Sequence, residues 1–171
     1  MKRILLIPVL FALFAGIAPG QKYAFVDTEY ILSNIPSYKA AQEQLDNTSE
    51  EWQKEVESQY AEIEKMYKDY QAEKVLLTDD MRRKREDEII NKEQEVKELQ
   101  KKYFGQEGAL FKKRQELVKP IQDDIYQAVK DIATESGYAV IFDTSSGPSM
   151  LYFNPRYDVS DEVLQKLGYK N

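Results

Sequence analysis

The stretch from Ser37 to Ser136 carries heptad-spaced apolar residues in two blocks, one on either side of Thr78-Asp79-Asp80. In the second block Ile89, Val96, Tyr103, Leu110 and Leu117 recur every seven residues, and in the first Val56, Ile63 and Tyr70 do the same, with Trp52 one turn ahead. Such spacing keeps one seam turned toward a partner helix. The blocks also mirror each other: Val56 with Tyr103, Ile63 with Val96 and Tyr70 with Ile89 have position numbers that each sum to 159, so their midpoint falls between Asp79 and Asp80. One straight helix has no use for that symmetry. A chain that doubles back at 78–80 brings the pairs level, and Thr78 with two aspartates suits a helix start, where free amides favour oxygen acceptors and negative charge.

A hairpin of this length takes most of a 171-residue chain and leaves little for a globular core. With 32% charged and 42% hydrophobic residues, the composition fits exposed helices plus a compact apolar body rather than an enzyme with a wide pocket. There are no cysteines and no histidines. That removes disulfides, thiol catalysis, the usual general base and the commonest transition-metal ligand, so no catalytic residue, cofactor or metal site is expected. Met1-Lys2-Arg3, the apolar run Ile4 to Ala18 and Pro19-Gly20 read as a secretory signal peptide, residues 1–20, cleaved after Gly20. The run is short for a membrane span, and an uncleaved anchor is the alternative. Without Lys2 and Arg3 the chain holds 22 basic against 30 acidic residues, a net charge of −8. An acidic exported protein is a poor general partner for nucleic acid.

Tyr23-Ala24-Phe25-Val26-Asp27 reads as a strand, and Asp27 or Thr28 is placed to cap a short helical turn that Pro36 ends. The first arm runs from Ser37 to Leu77 and bears Tyr60, Tyr67 and Tyr70. These rings either widen the hairpin contact or face a cavity and touch a guest. The second arm, Met81 to Ser136, outruns the first and carries a second seven-spaced set, Phe104, Phe111, Val118, Ile125 and Ile132, suited to burial against several elements. Gly105 and Gly108 lie mid-helix in this reading, making room for Trp52, letting the arm bend, or both. Pro120 is expected to kink the helix where arm meets body. At the tip, Arg82-Arg83-Lys84-Arg85 is either a solvated face balanced by Glu86-Asp87-Glu88 or a weak contact for an anionic membrane surface or an acidic client segment.

Beyond Gly137, a helix stop, Tyr138 to Asp143 and Met150 to Asn154 read as second and third strands joined by a turn at 144–148. Ser160-Asp161-Glu162 then caps a last helix bearing Val163, Leu164 and Leu167. Three apolar strands want cover on both faces and leave two open edges, which copies of the same chain would close. The fold class expected is α+β: a long antiparallel coiled-coil hairpin, residues 37–120 with its tip near 78–80, on a small β-barrel-like body, residues 21–36 and 121–171, formed by oligomerisation. Phe25, Val26, Val140, Ile141, Phe142, Leu151, Phe153, Val163, Leu164 and Leu167 are its expected oligomerisation core.

The order of these parts resembles one family. A Tyr-Ala-Phe-Val-Asp strand, Thr28-Glu29-Tyr30-Ile31-Leu32, a long hairpin, Leu117-Val118-x-Pro120-Ile121, Gly137-Tyr138 and Tyr157-Asp158-Val159-Ser160-Asp161-Glu162-Val163 are similar to the OmpH/Skp family of periplasmic chaperones across essentially the whole chain after residue 20. The resemblance implies a jellyfish-like homotrimer that holds unfolded outer-membrane proteins between its arms without ATP. The best-known member is basic, whereas this chain has a sequence pI near 4.9, a departure that sets it apart for lipopolysaccharide binding. Two rivals stand beside this reading: an exported structural coiled-coil spacer, and an enzyme built on Asp27, Asp143 and Asp158, carboxylates at strand ends that equally suit turn chemistry.

Overall fold

A computed structural model of the protein describes residues 20–145, 147 and 150–169. The signal-peptide reading of residues 1–20 therefore falls outside the described residues except for Gly20, as do Ser146 and Pro148 of the expected turn. The elements in chain order are β1 (Lys22–Val26), α1 (Thr28–Ser33), α2 (Pro36–Glu73), α3 (Asp79–Phe104), α4 (Ala109–Ser136), β2 (Tyr138–Asp143), a 3-10 turn (Pro155–Tyr157) and α5 (Ser160–Lys166). They group into two compact units, Leu32–Ile125 in one and the chain up to Ile31 with Tyr126 onward in the other.

The first unit is the helical hairpin. Pro36 opens α2, where its missing amide costs nothing, and the helix runs 38 residues, about 57 Å at 1.5 Å per residue. α3 begins as expected: Thr78 is the N-cap, its hydroxyl accepting from the Met81 amide at 3.3 Å, with Asp79 and Asp80 in the first turn. Val56, Ile63, Tyr70, Ile89 and Val96 form one buried cluster, with Met66, Leu77, Leu99 and Tyr103 packed against it. This is the mirrored heptad seam. A second cluster of Ala41, Leu45 and Val118 is flanked by Tyr38, Leu110 and Leu117. Ala41 and Val118 again sum to 159, so the same register is kept further from the tip.

The second arm is not one helix. α3 stops at Phe104, Gly105 caps it by donating its amide to the Lys101 carbonyl at 2.8 Å, and α4 starts only at Ala109. The glycines are demanded by backbone crowding: a Cβ on Gly105 would lie 2.4 Å from the Lys101 carbonyl oxygen, and one on Gly108 would lie 2.7 Å from that of Tyr103. They do not serve as a socket for Trp52. The indole stacks on Tyr103 with centroids 4.6 Å apart and planes 4° apart, and meets the edge of Phe104 at 6.5 Å. Pro120, in contrast, lies inside α4, which continues to Ser136.

The second unit holds a two-stranded sheet in which β1 and β2 run parallel. Gly137 ends α4 in the left-handed region at φ 71° and turns the chain into β2. The expected third strand is absent: residues 150–154 form no ladder, and Leu151 is fully exposed. A strand needs a neighbour, and among the described residues this segment has none, although Phe153 lies against Phe25 with ring centroids 5.2 Å apart. Beyond β1 the chain is tied by the Val159 amide, which donates to the Phe25 carbonyl at 2.9 Å, whereas the outer edge of β2 has no strand beside it among the described residues. Ala24, Val26, Ile31, Ala128, Ile132, Val159, Val163 and Leu164 are the buried apolar side chains of this unit.

Candidate functional site

Three features on the hairpin and one on the sheet present chemistry to the outside. On the hairpin, the three tyrosines separate. Tyr70 is 5% exposed, part of the seam, and its hydroxyl donates to Glu86 on the facing helix. That hydrogen bond, then burial and the negative charge of Glu86, hold its phenol above the ordinary range. Tyr60 and Tyr67 lie one heptad apart and are both nearly half exposed. Tyr60 offers its hydroxyl to Gln100 Oε1 at 3.3 Å, and its ring remains open to solvent. Other bonds across the hairpin are Tyr103 to Glu55 Oε2 at 2.8 Å and the Lys92–Glu62 ion pair at 2.9 Å. The seam is thus closed by its own residues, with two aromatic rings to spare.

At the tip, the basic cluster divides by role. Arg82 holds the turn: its Nε donates to the carbonyls of Lys74 at 3.1 Å and Leu77 at 3.2 Å, and its guanidinium pairs with Asp79 at 3.3 Å. A helix C-terminus offers such carbonyls to a cation. Arg85 pairs with Glu88 at 3.1 Å. Arg83 and Lys84 are exposed and make no ion pair among the described residues. The sequence reading passed over Val75 and Leu76, which stand exposed beside them. The signal was there: the hairpin register sets Val75 against Lys84 and Leu76 against Arg83, so neither has an apolar partner.

Between α3 and α4, the break at Gly105 to Gly108 is bordered by Lys101, Lys102 and Lys112 together with Glu98 and Glu107, an open mixed-charge hollow.

On the sheet, the parallel register places Tyr23 beside Val140 and Phe25 beside Phe142, all on one face. Phe25 and Phe142 lie 5.8 Å apart, Tyr23 packs on Tyr157 at 5.4 Å, and Tyr23, Val140 and Phe142 each remain nearly half exposed. The opposite face is buried at Ala24 and Val26. Of the expected oligomerisation core, Val26, Val163 and Leu164 are already buried inside one copy. Ile141 and Leu167 are partly so, and Phe25, Phe153, Val140, Phe142 and Leu151 form the half-buried to exposed remainder.

The three aspartates of the enzyme rival are taken up by turns. Asp27 Oδ1 accepts the Tyr30 amide at 3.0 Å and caps α1, and Asp158 Oδ1 accepts both the amide and hydroxyl of Ser160. Ser160 does not cap α5, whose N-cap position is Val159 with no side-chain cap bond; the Ser160 hydroxyl instead accepts the Asp27 amide at 2.8 Å. Asp143 accepts from the Thr28 hydroxyl at 2.8 Å, the Thr28 amide at 3.2 Å, and the Ser145 amide and hydroxyl. Burial alone would raise its carboxyl, but the bonds from Thr28 and Ser145 outweigh that and hold it below the ordinary range. Such carboxylates are acceptors locked into backbone turns, poorly placed to move protons.

Comparison with known proteins places this architecture. Residues 22–167 match the family described as outer membrane protein (OmpH-like). An uncharacterized protein of Aquifex aeolicus is 28% identical over 158 residues, 92% of this chain and 93% of that one. The chaperone protein Skp of Vibrio cholerae is 26% identical over 156 residues, 86% of this chain and 84% of its own. A solved structure from Caulobacter crescentus, described as an OmpH-like outer membrane chaperone, has the same fold at a TM-score of 0.68 and 13% identity, with 89% of this chain and 86% of that chain covered. With its strand, mirrored hairpin and carboxy-terminal segment all inside the matched residues, the chain belongs to the OmpH/Skp-like chaperone family.

Proposed function

We propose that this protein is a periplasmic, ATP-independent holdase, a homotrimer whose hairpin arms enclose a cavity where unfolded outer-membrane proteins are kept from aggregating. The observation that carries this reading is a hairpin that closes its own seam and still keeps Tyr60 and Tyr67 at its surface. An unfolded client needs many weak, non-directional contacts, and a tyrosine offers an apolar ring with a wettable end. Tyr70 belongs to the hairpin's own stability. Residues 37–120 serve as the arm and residues 21–36 and 121–171 as the body, exported by a cleaved signal peptide at 1–20.

Self-association is supported by the exposed aromatic face of the sheet, the strandless outer edge of β2 and the unladdered segment 150–154. An open edge and an extended segment on the same chain are complementary between copies. The break at Gly105 to Gly108, rather than Pro120, is where the arm bends to follow client size, since a non-helical joint yields before a hydrogen-bonded helix does. The function is binding, with no catalytic step.

The test combines molar mass by light scattering with suppression of aggregation of an unfolded outer-membrane β-barrel protein. A mass of three chains, and a client kept soluble at about one per trimer, are expected. Tyr60→Ser with Tyr67→Ser lowers the holding capacity and leaves the mass unchanged. A trimer that leaves the client to aggregate is instead a structural spacer.

A further inference from the structure

The outer face of α2 carries a second heptad pattern beside the seam. From Glu50 onward, positions spaced alternately three and four apart are Glu50, Gln53, Glu57, Tyr60, Glu64 and Tyr67, and all six are exposed. No lysine or arginine interrupts them. α2 as a whole sets ten carboxylates against four cations, whereas α3 has eight of each, so the acidity of the arm is concentrated on its first helix. On the facing helix Glu86, Glu93 and Gln100 are also seven apart. The Tyr70 hydroxyl donates to Glu86 and the Tyr60 hydroxyl to Gln100 at 3.3 Å, so this row runs along the tyrosine side of the hairpin. The rings of Tyr60 and Tyr67, 42% and 47% exposed, thus lie between two acidic rows. The partners that the α2 glutamates do have are local and exposed: Glu64 pairs with Lys68 at 2.5 Å, Glu57 takes a hydrogen bond from Gln53 at 3.1 Å, and Glu50 pairs with Lys54 at 3.7 Å. Such pairs hold weakly and give way to another cation.

An aromatic ring beside a carboxylate is a receptor for organic cations: a guanidinium or ammonium lies on the ring face while its charge meets the oxygens, and the apolar stem of the side chain covers the ring. We propose that this face of α2 sets the selectivity of the client site, Tyr60 and Tyr67 taking up arginine and lysine side chains of an unfolded segment with Glu57 and Glu64 as their counter-ions. The inference rests on the holdase reading and adds to it the chemical class of the segment held: basic and extended, with acidic segments turned away by like charge. Charge complementarity decides the occupant. A neutral apolar segment gains the rings and nothing from the glutamates, and the same face of a second copy would bring like charge against like. The spacing agrees. Tyr60 and Glu64 are separated by about 6 Å along the helix axis, close to the roughly 6.7 Å between alternate side chains of an extended chain, so one side of such a segment reaches both.

The probes are two unstructured, dye-labelled peptides, one alternating arginine with leucine and tyrosine, the other its twin with glutamate in place of each arginine. Binding to the protein is read by fluorescence anisotropy. At low salt the basic peptide binds about tenfold or more tightly than its twin, and the difference shrinks as salt is raised. Glu57→Gln with Glu64→Gln weakens the basic peptide roughly fivefold and leaves helix content by circular dichroism unchanged, each exposed pair being worth a few-fold at most. Glu51→Gln with Asp69→Asn removes the same charge from exposed positions on the other side of α2 and is the control, with binding kept within about twofold. An equal loss in the control means that net charge selects rather than this face, and overturns the proposal. Equal binding of the two peptides overturns it as well and leaves the holdase reading standing. If neither peptide binds while an unfolded outer-membrane client is still kept soluble, the selectivity alone is refuted; if the client aggregates too, the holdase reading falls with it. A changed molar mass in Glu57→Gln with Glu64→Gln assigns the face to contact between copies and refutes the proposal.

Discussion

Asp143 shows how much a single carboxylate does at the sheet end. It gathers four donors from Thr28 and Ser145, tying the end of β2 to the start of α1, 115 positions earlier in the chain. Its carboxyl is held below the ordinary carboxylate range by the bonds from Thr28 and Ser145, so the folded state binds a proton less readily than the unfolded one. The stability it contributes is therefore complete above about pH 4 and is lost as the pH falls through the lower folded value. Asp143→Asn is expected to cost about 1 kcal/mol at neutral pH, screening by solvent included, and less below pH 3. Chemical denaturation from pH 7 down to pH 3 measures this as a flatter acid limb in the variant. A variant that followed the parent at every pH would mean that the four bonds are worth no more than those of an amide.

Among the elements, the hairpin and the break in its second arm obey different rules. The seam is legible because each slip by one residue would turn Val96 and Ile89 outward and bring Lys or Glu in; heptad spacing fixes both face and register. The break was not legible as such. Gly105 and Gly108 were visible, but whether a glycine softens a helix or ends it depends on what its backbone approaches, here the carbonyls of Lys101 and Tyr103. Gly105→Ala is expected to lower stability by about 1–2 kcal/mol, because the new methyl must displace a backbone carbonyl rather than a flexible side chain. Val96→Ala in the seam should cost a comparable amount, about 2 kcal/mol, by a different route, the loss of buried contacts. The two are told apart by the lone tryptophan: Trp52 stacks next to the break, so its fluorescence should change in the native state of Gly105→Ala and hardly at all in Val96→Ala.

At the scale of the whole molecule, the proposed self-association is expected to use the exposed face of the sheet. Phe142 lies on that face, packed on Phe25 of its own chain and nearly half open. Phe142→Glu places a charge where apolar cover is wanted. It is expected to weaken self-association by about a hundredfold or more while leaving helix content intact, as sedimentation over a range of concentrations and circular dichroism would show. An assembly as tight as that of the parent would locate the interface elsewhere. The three arm tyrosines divide by exposure: Tyr60 and Tyr67 are nearly half exposed, whereas Tyr70 is buried, as its seam position opposite Ile89 indicates.

What the amino-acid order determined by itself is the hairpin, with its fold-back at 78–80, its register and its cap at Thr78, and outside the hairpin the helix stop at Gly137. These depend on residues a few turns apart or on one repeating interval, and local spacing carries that information in full. Only the tertiary structure decided that β1 and β2 pair in parallel, that 150–154 stays outside the ladder, and that the second arm breaks four residues short of a new helix. The reason is that pairing and backbone crowding are properties of two segments at once. An apolar run such as Met150 to Asn154 declares that it can be a strand, and a neighbour, on this chain or another, decides whether it becomes one.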